Sequence, residues 1–97
     1  MACQVLLEIR IKKDCVEKLR SWMRTILPDT RGFDGCITLY LVQNQDEPTN
    51  FVVVEQWESR AHYEKYLKWR TDTGILAELV GMLDGEPSFK FCNFFGV

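Results

Sequence analysis

The chain has 97 residues, 46% of them apolar, with 12 basic and 14 acidic side chains and a net charge of −2. That length fits one domain, 1–97, and so apolar a composition points to a packed core rather than disorder. Acids and bases are interspersed, so the sequence predicts neither a nucleic-acid-binding stripe nor a basic amphipathic helix for a membrane surface.

Cys3, Cys15, Cys36 and Cys92 stand far apart, and no signal peptide precedes the first strand. They read as reduced thiols in a cytoplasmic protein. With no CxxC pair and His62 as the only histidine, no metal site is expected. Every apolar run is far too short to cross a bilayer.

The first element, from Cys3 to Ile11, alternates as a strand does. Cys3, Val5, Leu7, Ile9 and Ile11 share one face, with Gln4, Glu8 and Arg10 on the other. Asp14 then has the look of an N-cap, with Glu17 at capping-box spacing. The helix it would open buries Val16, Leu19, Met23, Ile26 and Leu27, with Trp22 on the flank of that stripe. Pro28 marks its expected end, and the residues from Pro28 to Gly32 read as a turn.

A second strand, Ile37 to Val42, and a third, Phe51 to about Trp57, form a hairpin across the polar loop between them. Ser59 is the expected cap of a second helix running to about Arg70, with a kink near Gly74 and a further helical piece from Ile75 to Leu83. A last strand is predicted from Phe89 to Phe95, after Pro87.

This order, βαββαβ with right-handed crossovers, defines an α+β, ferredoxin-like fold: a four-stranded antiparallel sheet with its helices on one face. The opposite sheet face would carry Leu6, Thr38, Tyr40 and either Val52 and Val54 or their odd-numbered neighbours. A face that apolar should meet another sheet, so a homodimer is expected. A chain this short buries only roughly 60–65% of its unfolded surface alone, which favours a partner subunit too.

Between sheet and helices lies the natural place for a cavity. Val53, Glu55 and Trp57 share one face of the third strand. Tyr63, Tyr66, Leu67 and Arg70 share one face of the second helix. With Trp22 from the first helix, these residues make an aromatic box holding phenols and a guanidinium, suited to a flat, phenolic or quinone-like ligand. Trp22 and Tyr66 fit core packing equally well, and Arg70 also fits a solvated helix position. Glu55 either points inward as a desolvated base or outward toward Arg10, outward being the more conservative expectation. His62 sits beside the pocket face and reads as a second candidate base or a surface residue.

The passage Val54 to Tyr66, in which Glu55-Gln56-Trp57-Glu58-Ser59 leads from strand to helix and Tyr63 follows Trp57 by six residues, resembles the antibiotic biosynthesis monooxygenase family. The resemblance implies a dimeric α/β barrel, and for some members oxidation of aromatic polyketides or quinols by dioxygen without a cofactor. In the family's anthrone oxidases a Trp and a Tyr at these motif positions line the substrate cavity, which implies that role for Trp57 and Tyr63. The chain departs from those oxidases at Val53, where they carry Asn. It departs from the quinol-oxidising branch at Lys68-Trp69-Arg70, near which a His is usual. Haem degradation, which needs an Asn on the first strand and a late His, is not expected. No dinucleotide, P-loop or nucleophile-elbow motif is present, so no cofactor is predicted. The sequence thus supports a cofactor-free monooxygenase with Tyr63, Arg70, His62 and Glu55 as catalytic candidates and Trp57, Tyr66, Trp22 and Val53 as substrate contacts. The rival is a non-catalytic dimeric protein that binds a hydrophobic metabolite, and a third reading is non-oxidative chemistry such as isomerisation or decarboxylation.

Overall fold

In the computed structural model, which describes residues 2–97, four strands and three helices follow the expected order. They are β1 (Cys3–Arg10), α1 (Val16–Arg31), β2 (Cys36–Gln43), β3 (Asn50–Trp57), α2 (Arg60–Asp72), α3 (Ile75–Met82) and β4 (Ser88–Cys92). The sheet runs β2-β3-β1-β4, and every neighbouring pair is antiparallel. This is the ferredoxin-like arrangement that the crossover rule demands.

Strand alternation decides which side chains meet the helices. Cys3, Val5, Leu7 and Ile9 of β1 and Phe51, Val53, Glu55 and Trp57 of β3 are all buried on the inner face. Leu19, Met23 and Leu27 of α1 close over Leu7, Ile9, Phe51 and Val53, while Tyr63 and Tyr66 from the second helix pack on Cys3, Val5 and Trp57. Each fully buried aliphatic chain in this layer, such as Ile9 or Leu19, contributes about 1.5–3 kcal/mol. A register shift between Cys36 and Thr38 lets Ile37 bulge out and then returns Leu39 and Leu41 to the inner side. The outer face carries Leu6, Val52 and Val54, the even-numbered set, with Tyr40 and Val42 about half exposed.

Three local expectations fail, each for a physical reason. Asp14 does not cap α1: it lies in a 3-10 turn, Lys13–Cys15, and the residue before the helix, Cys15, makes no side-chain capping bond. That turn is fixed by backbone instead, through Lys12 N to Met82 O at 2.9 Å and Cys15 N to Lys12 O at 2.8 Å. Pro28 does not end α1, which runs on to Arg31. Only one helical bond is forfeited so near the terminus, and Gly32 N closes the final turn onto Pro28 O at 3.1 Å. Lastly, β4 stops at Cys92. Cys92 already pairs with Gln4, one residue from where β1 begins, so little strand remains to pair with Phe94 and Phe95, which are exposed.

The break between α2 and α3 falls where the sequence placed it. Gly74 adopts φ +82°, a left-handed conformation that terminates α2 at little steric cost for glycine. Among the described residues, no helix is long and apolar enough to cross a membrane.

Candidate active site

Ser59 starts α2 by accepting the backbone N–H of His62 at 3.2 Å. From that start, helical spacing turns Tyr63, Tyr66 and Arg70 toward the sheet, where all three are buried. Opposite them, β3 presents Val53 and Glu55. Together with Trp22 of α1 these residues wall a cavity of about 60 Å³, and Ile75, Leu76 and Leu79 of α3 complete it.

Glu55 points inward, against the more conservative expectation. Its exposure is 2% and it accepts one side-chain hydrogen bond, from Trp57 Nε1 at 3.1 Å. Burial disfavours its charged form and pushes the carboxyl up to about 7, only partly offset by the indole N–H. Arg10, the alternative partner, lies near Glu47 instead, at 3.8 Å. A carboxyl that changes state near neutrality at the wall of a largely apolar cavity is chemically able to take up and release a proton there.

Tyr63 is held firmly in its neutral form by burial, with the nearby Glu55 charge acting in the same direction. Burial raises Tyr66 as well, while its hydrogen bonds to Thr30 and Arg70 oppose the rise. Arg70 donates from Nε to Tyr66 Oη at 3.0 Å, and from Nη2 to Ile26 O at 2.7 Å and Thr30 Oγ1 at 2.9 Å. Its guanidinium carbon stands 4.4 Å from the Trp69 ring centroid. The solvated alternative for Arg70 is thereby excluded, since its exposure is 5%.

Trp57 does not line the cavity. It is fully buried behind the tyrosines, 5.5 Å from Tyr63 and 5.1 Å from Tyr66 between ring centroids, with Phe33 at 6.4 Å. As the last residue of β3 it is sealed in by the segment after α1, so its route to the cavity is its bond to Glu55. His62 does not reach the cavity either, because one helical step rotates it away from Tyr63. Its ring lies 4.0 Å from Asp34 and 3.7 Å from Glu58, and Nδ1 is 2.6 Å from Ser59 Oγ. A Cβ on Gly35 would come within 2.5 Å of this imidazole, so the close approach requires glycine. Asp34, Glu58 and His62 offer three ligand atoms within 4.8 Å of one another, but both carboxylates are exposed and nothing else there indicates an ion.

Sequence reasoning missed Thr30. It is fully buried and its hydroxyl lies 2.7 Å from Tyr66 Oη. The misplaced end of α1 hid it, and the usable signal was its place one turn beyond Met23 and Leu27 on the buried stripe. A wider open groove of about 410 Å³ lies between α1 and β2, lined by Arg20, Arg24 and Arg31 above Leu19, Met23 and Phe51. No carboxylate or phenol is buried in it, so the smaller cavity is the one equipped for proton transfer.

A ferredoxin-like sheet thus lies against an aromatic cavity that holds a buried carboxyl. The profile of the antibiotic biosynthesis monooxygenase family matches residues 4–70, well over half of the chain. The protein belongs to the antibiotic biosynthesis monooxygenase family. Among solved structures it is similar to a conserved protein from Methanosarcina mazei, with 18% identity and a TM-score of 0.86 over 95% of this chain and 91% of that one. An antibiotic biosynthesis monooxygenase gives 18% identity and a TM-score of 0.85, covering 95% and 97%. Rv0793 from Mycobacterium tuberculosis gives 19% and 0.79, covering 100% and 98%. At these identities the likeness speaks for the fold. No curated protein sequence matches the chain.

Proposed function

We propose that this protein is a cofactor-independent monooxygenase acting on a small aromatic, phenolic or quinone-like compound. Family membership supports monooxygenation. The observation that carries the reading further is Glu55, a carboxyl buried at the wall of an aromatic cavity and tuned to about 7. In this reading Glu55 removes a proton from a phenol or anthrone-type carbon. The resulting anion passes one electron to dioxygen, and the radical pair joins to form a carbon–oxygen bond. Collapse of the peroxide leaves one oxygen atom in the product as a carbonyl and releases the other as water. Tyr63 packs against the substrate ring, and Tyr66 and Arg70 hydrogen-bond its oxygens. Trp57 holds Glu55 in place.

The cavity of about 60 Å³ is far smaller than the roughly 300–1,000 Å³ of ordinary ligand sites. Entry of a ring therefore requires the cavity walls to move apart. Two copies would pair through Leu6, Tyr40, Val42, Val52 and Val54 on the outer sheet face, in a cytoplasmic dimer whose four thiols stay reduced. The same narrow cavity, and Val53 in place of a hydrogen-bonding side chain, favour a second reading: a dimeric binding protein for a hydrophobic metabolite. Isotope labelling separates the two. With ¹⁸O₂ and an anthrone, the monooxygenase reading predicts one labelled oxygen in the product; unchanged substrate beside saturable binding would establish the binding protein.

A further inference from the structure

Arg70 is a cation buried to 5% exposure, yet no carboxylate lies within ion-pair distance of it among the described residues. Its Nε and Nη2 are engaged by Tyr66, Thr30 and the Ile26 carbonyl, while Nη1 makes no hydrogen bond among the described residues and is itself open to solvent. A guanidinium only donates. Tyr66 Oη and Thr30 Oγ1 therefore both accept from Arg70, and they share one proton across the 2.7 Å link between them. Either hydroxyl can supply that proton: with Tyr66 as donor the Thr30 hydrogen goes to Ile26 O at 3.5 Å, and with Thr30 as donor the Tyr66 hydrogen is left free. Arg70 and Tyr66 both line the cavity, which therefore meets a guanidinium without a carboxylate partner at this corner.

We infer that the cavity binds its ligand as an oxyanion held by Arg70, and that Thr30, whose hydroxyl accepts from Nη2 at 2.9 Å, is the positioning residue that orients the guanidinium. The inference rests on the cavity being the ligand site and narrows the ligand from neutral quinone-like compounds to carboxylates, enolates and phenolates. It also accounts for a buried charge without a counter-ion, which a protein otherwise avoids. The volume sets the scale. About 60 Å³ holds about two waters at roughly 30 Å³ each, room for the carboxylate head of an anion such as acetate. The competing explanation is a strut in which Arg70 merely ties α2 to the last turn of α1. A strut predicts no preference for charge.

The test is calorimetric titration at pH 6 with acetate and benzoate, each beside its neutral amide, acetamide and benzamide. Acetate should bind at least tenfold more tightly than acetamide, and Arg70→Met should erase that ratio while Arg70→Lys restores part of it. Thr30→Val should shrink the ratio and Thr30→Ser should keep it, with both variants folded by circular dichroism. A benzoate preference of the same kind shows that the aromatic anion enters whole, whereas preference confined to acetate shows a head-group site; either supports the inference. Equal affinity for acid and amide in the wild type overturns it, even if Arg70→Met fails to fold, and so does a ratio that survives Arg70→Met. No oxygen chemistry enters the assay: charge preference without oxygen uptake would remove the monooxygenase reading and leave this one, and uptake without charge preference would do the reverse.

Discussion

The indole of Trp57 donates to the carboxyl of Glu55 at 3.1 Å, and the two side chains stand two residues apart on the inner face of a single strand. One donor is too little to keep a buried carboxylate charged. A carboxylate with two or three such bonds can fall well below its usual range, but here burial prevails and the group sits near 7.

This placement makes stability depend on pH. Unfolded, Glu55 has an ordinary pKa of 4.5; folded, it is pushed up to about 7. The folded state thus binds more protons between those values, so its advantage is complete below the lower one and disappears as pH rises through the upper. The loss above neutrality is about 3 kcal/mol. Glu55→Gln keeps the acceptor for Trp57 but cannot ionise. It should stabilise the protein by up to about 3 kcal/mol at pH 8 and little at pH 4, read from denaturant midpoints. Identical pH slopes in the two proteins would contradict the account.

Trp57 behaves here as core. Trp57→Ala should cost about 3–5 kcal/mol in urea unfolding. Trp57→Phe should cost much less while raising the Glu55 pKa further, because only the indole N–H opposing the shift is removed. A stable Trp57→Ala variant with weakened ligand binding would make the indole a cavity wall after all.

His62 is outside the cavity and should be dispensable for chemistry. His62→Ala is expected to leave kcat within about twofold and to cost less than about 1 kcal/mol, in keeping with a partly exposed side chain whose backbone N–H still reaches Ser59. A loss of a hundredfold would restore it as the base.

The outer sheet face should fail as an interface when charged. Val54→Asp and Tyr40→Asp place carboxylates in the apolar patch and should shift sedimentation from dimer to monomer without unfolding the chain, since neither side chain faces the helices. A wild type that sediments as a monomer at high concentration would refute the dimer directly.

Much of this was legible in the sequence, where local pattern and tertiary packing agree. The alternation of Cys3 to Ile11, the Ser59 cap and the Gly74 break each have one dominant local cause, and each appears as read. The spacing of Tyr63, Tyr66 and Arg70 likewise placed them on one buried face. Position within that face was not legible: Trp57 and Tyr63 lie on the same side of the core, yet only packing decides that Tyr63 meets the cavity and Trp57 stands behind it. Thr30 was lost because Pro28 reads as a terminator, although a proline so near a helix end forfeits a single bond. Asp14 had capping-box spacing but was overruled by the backbone bonds from Lys12 to Met82 and from Cys15 to Lys12, which are invisible before the chain is folded. The inward turn of Glu55 follows from strand alternation, and only the usual cost of burying a carboxylate argued against it.

The most direct test of the central claim is oxygen uptake by purified, metal-free protein against a panel of hydroquinones and anthrones, with Glu55→Gln, Tyr63→Phe and Arg70→Ala measured beside it. The account predicts uptake with at least one substrate, an acid limb near pH 7 set by Glu55, and a fall of at least tenfold in Glu55→Gln. Uptake undiminished in Glu55→Gln, or no uptake with any substrate that demonstrably binds, would contradict it.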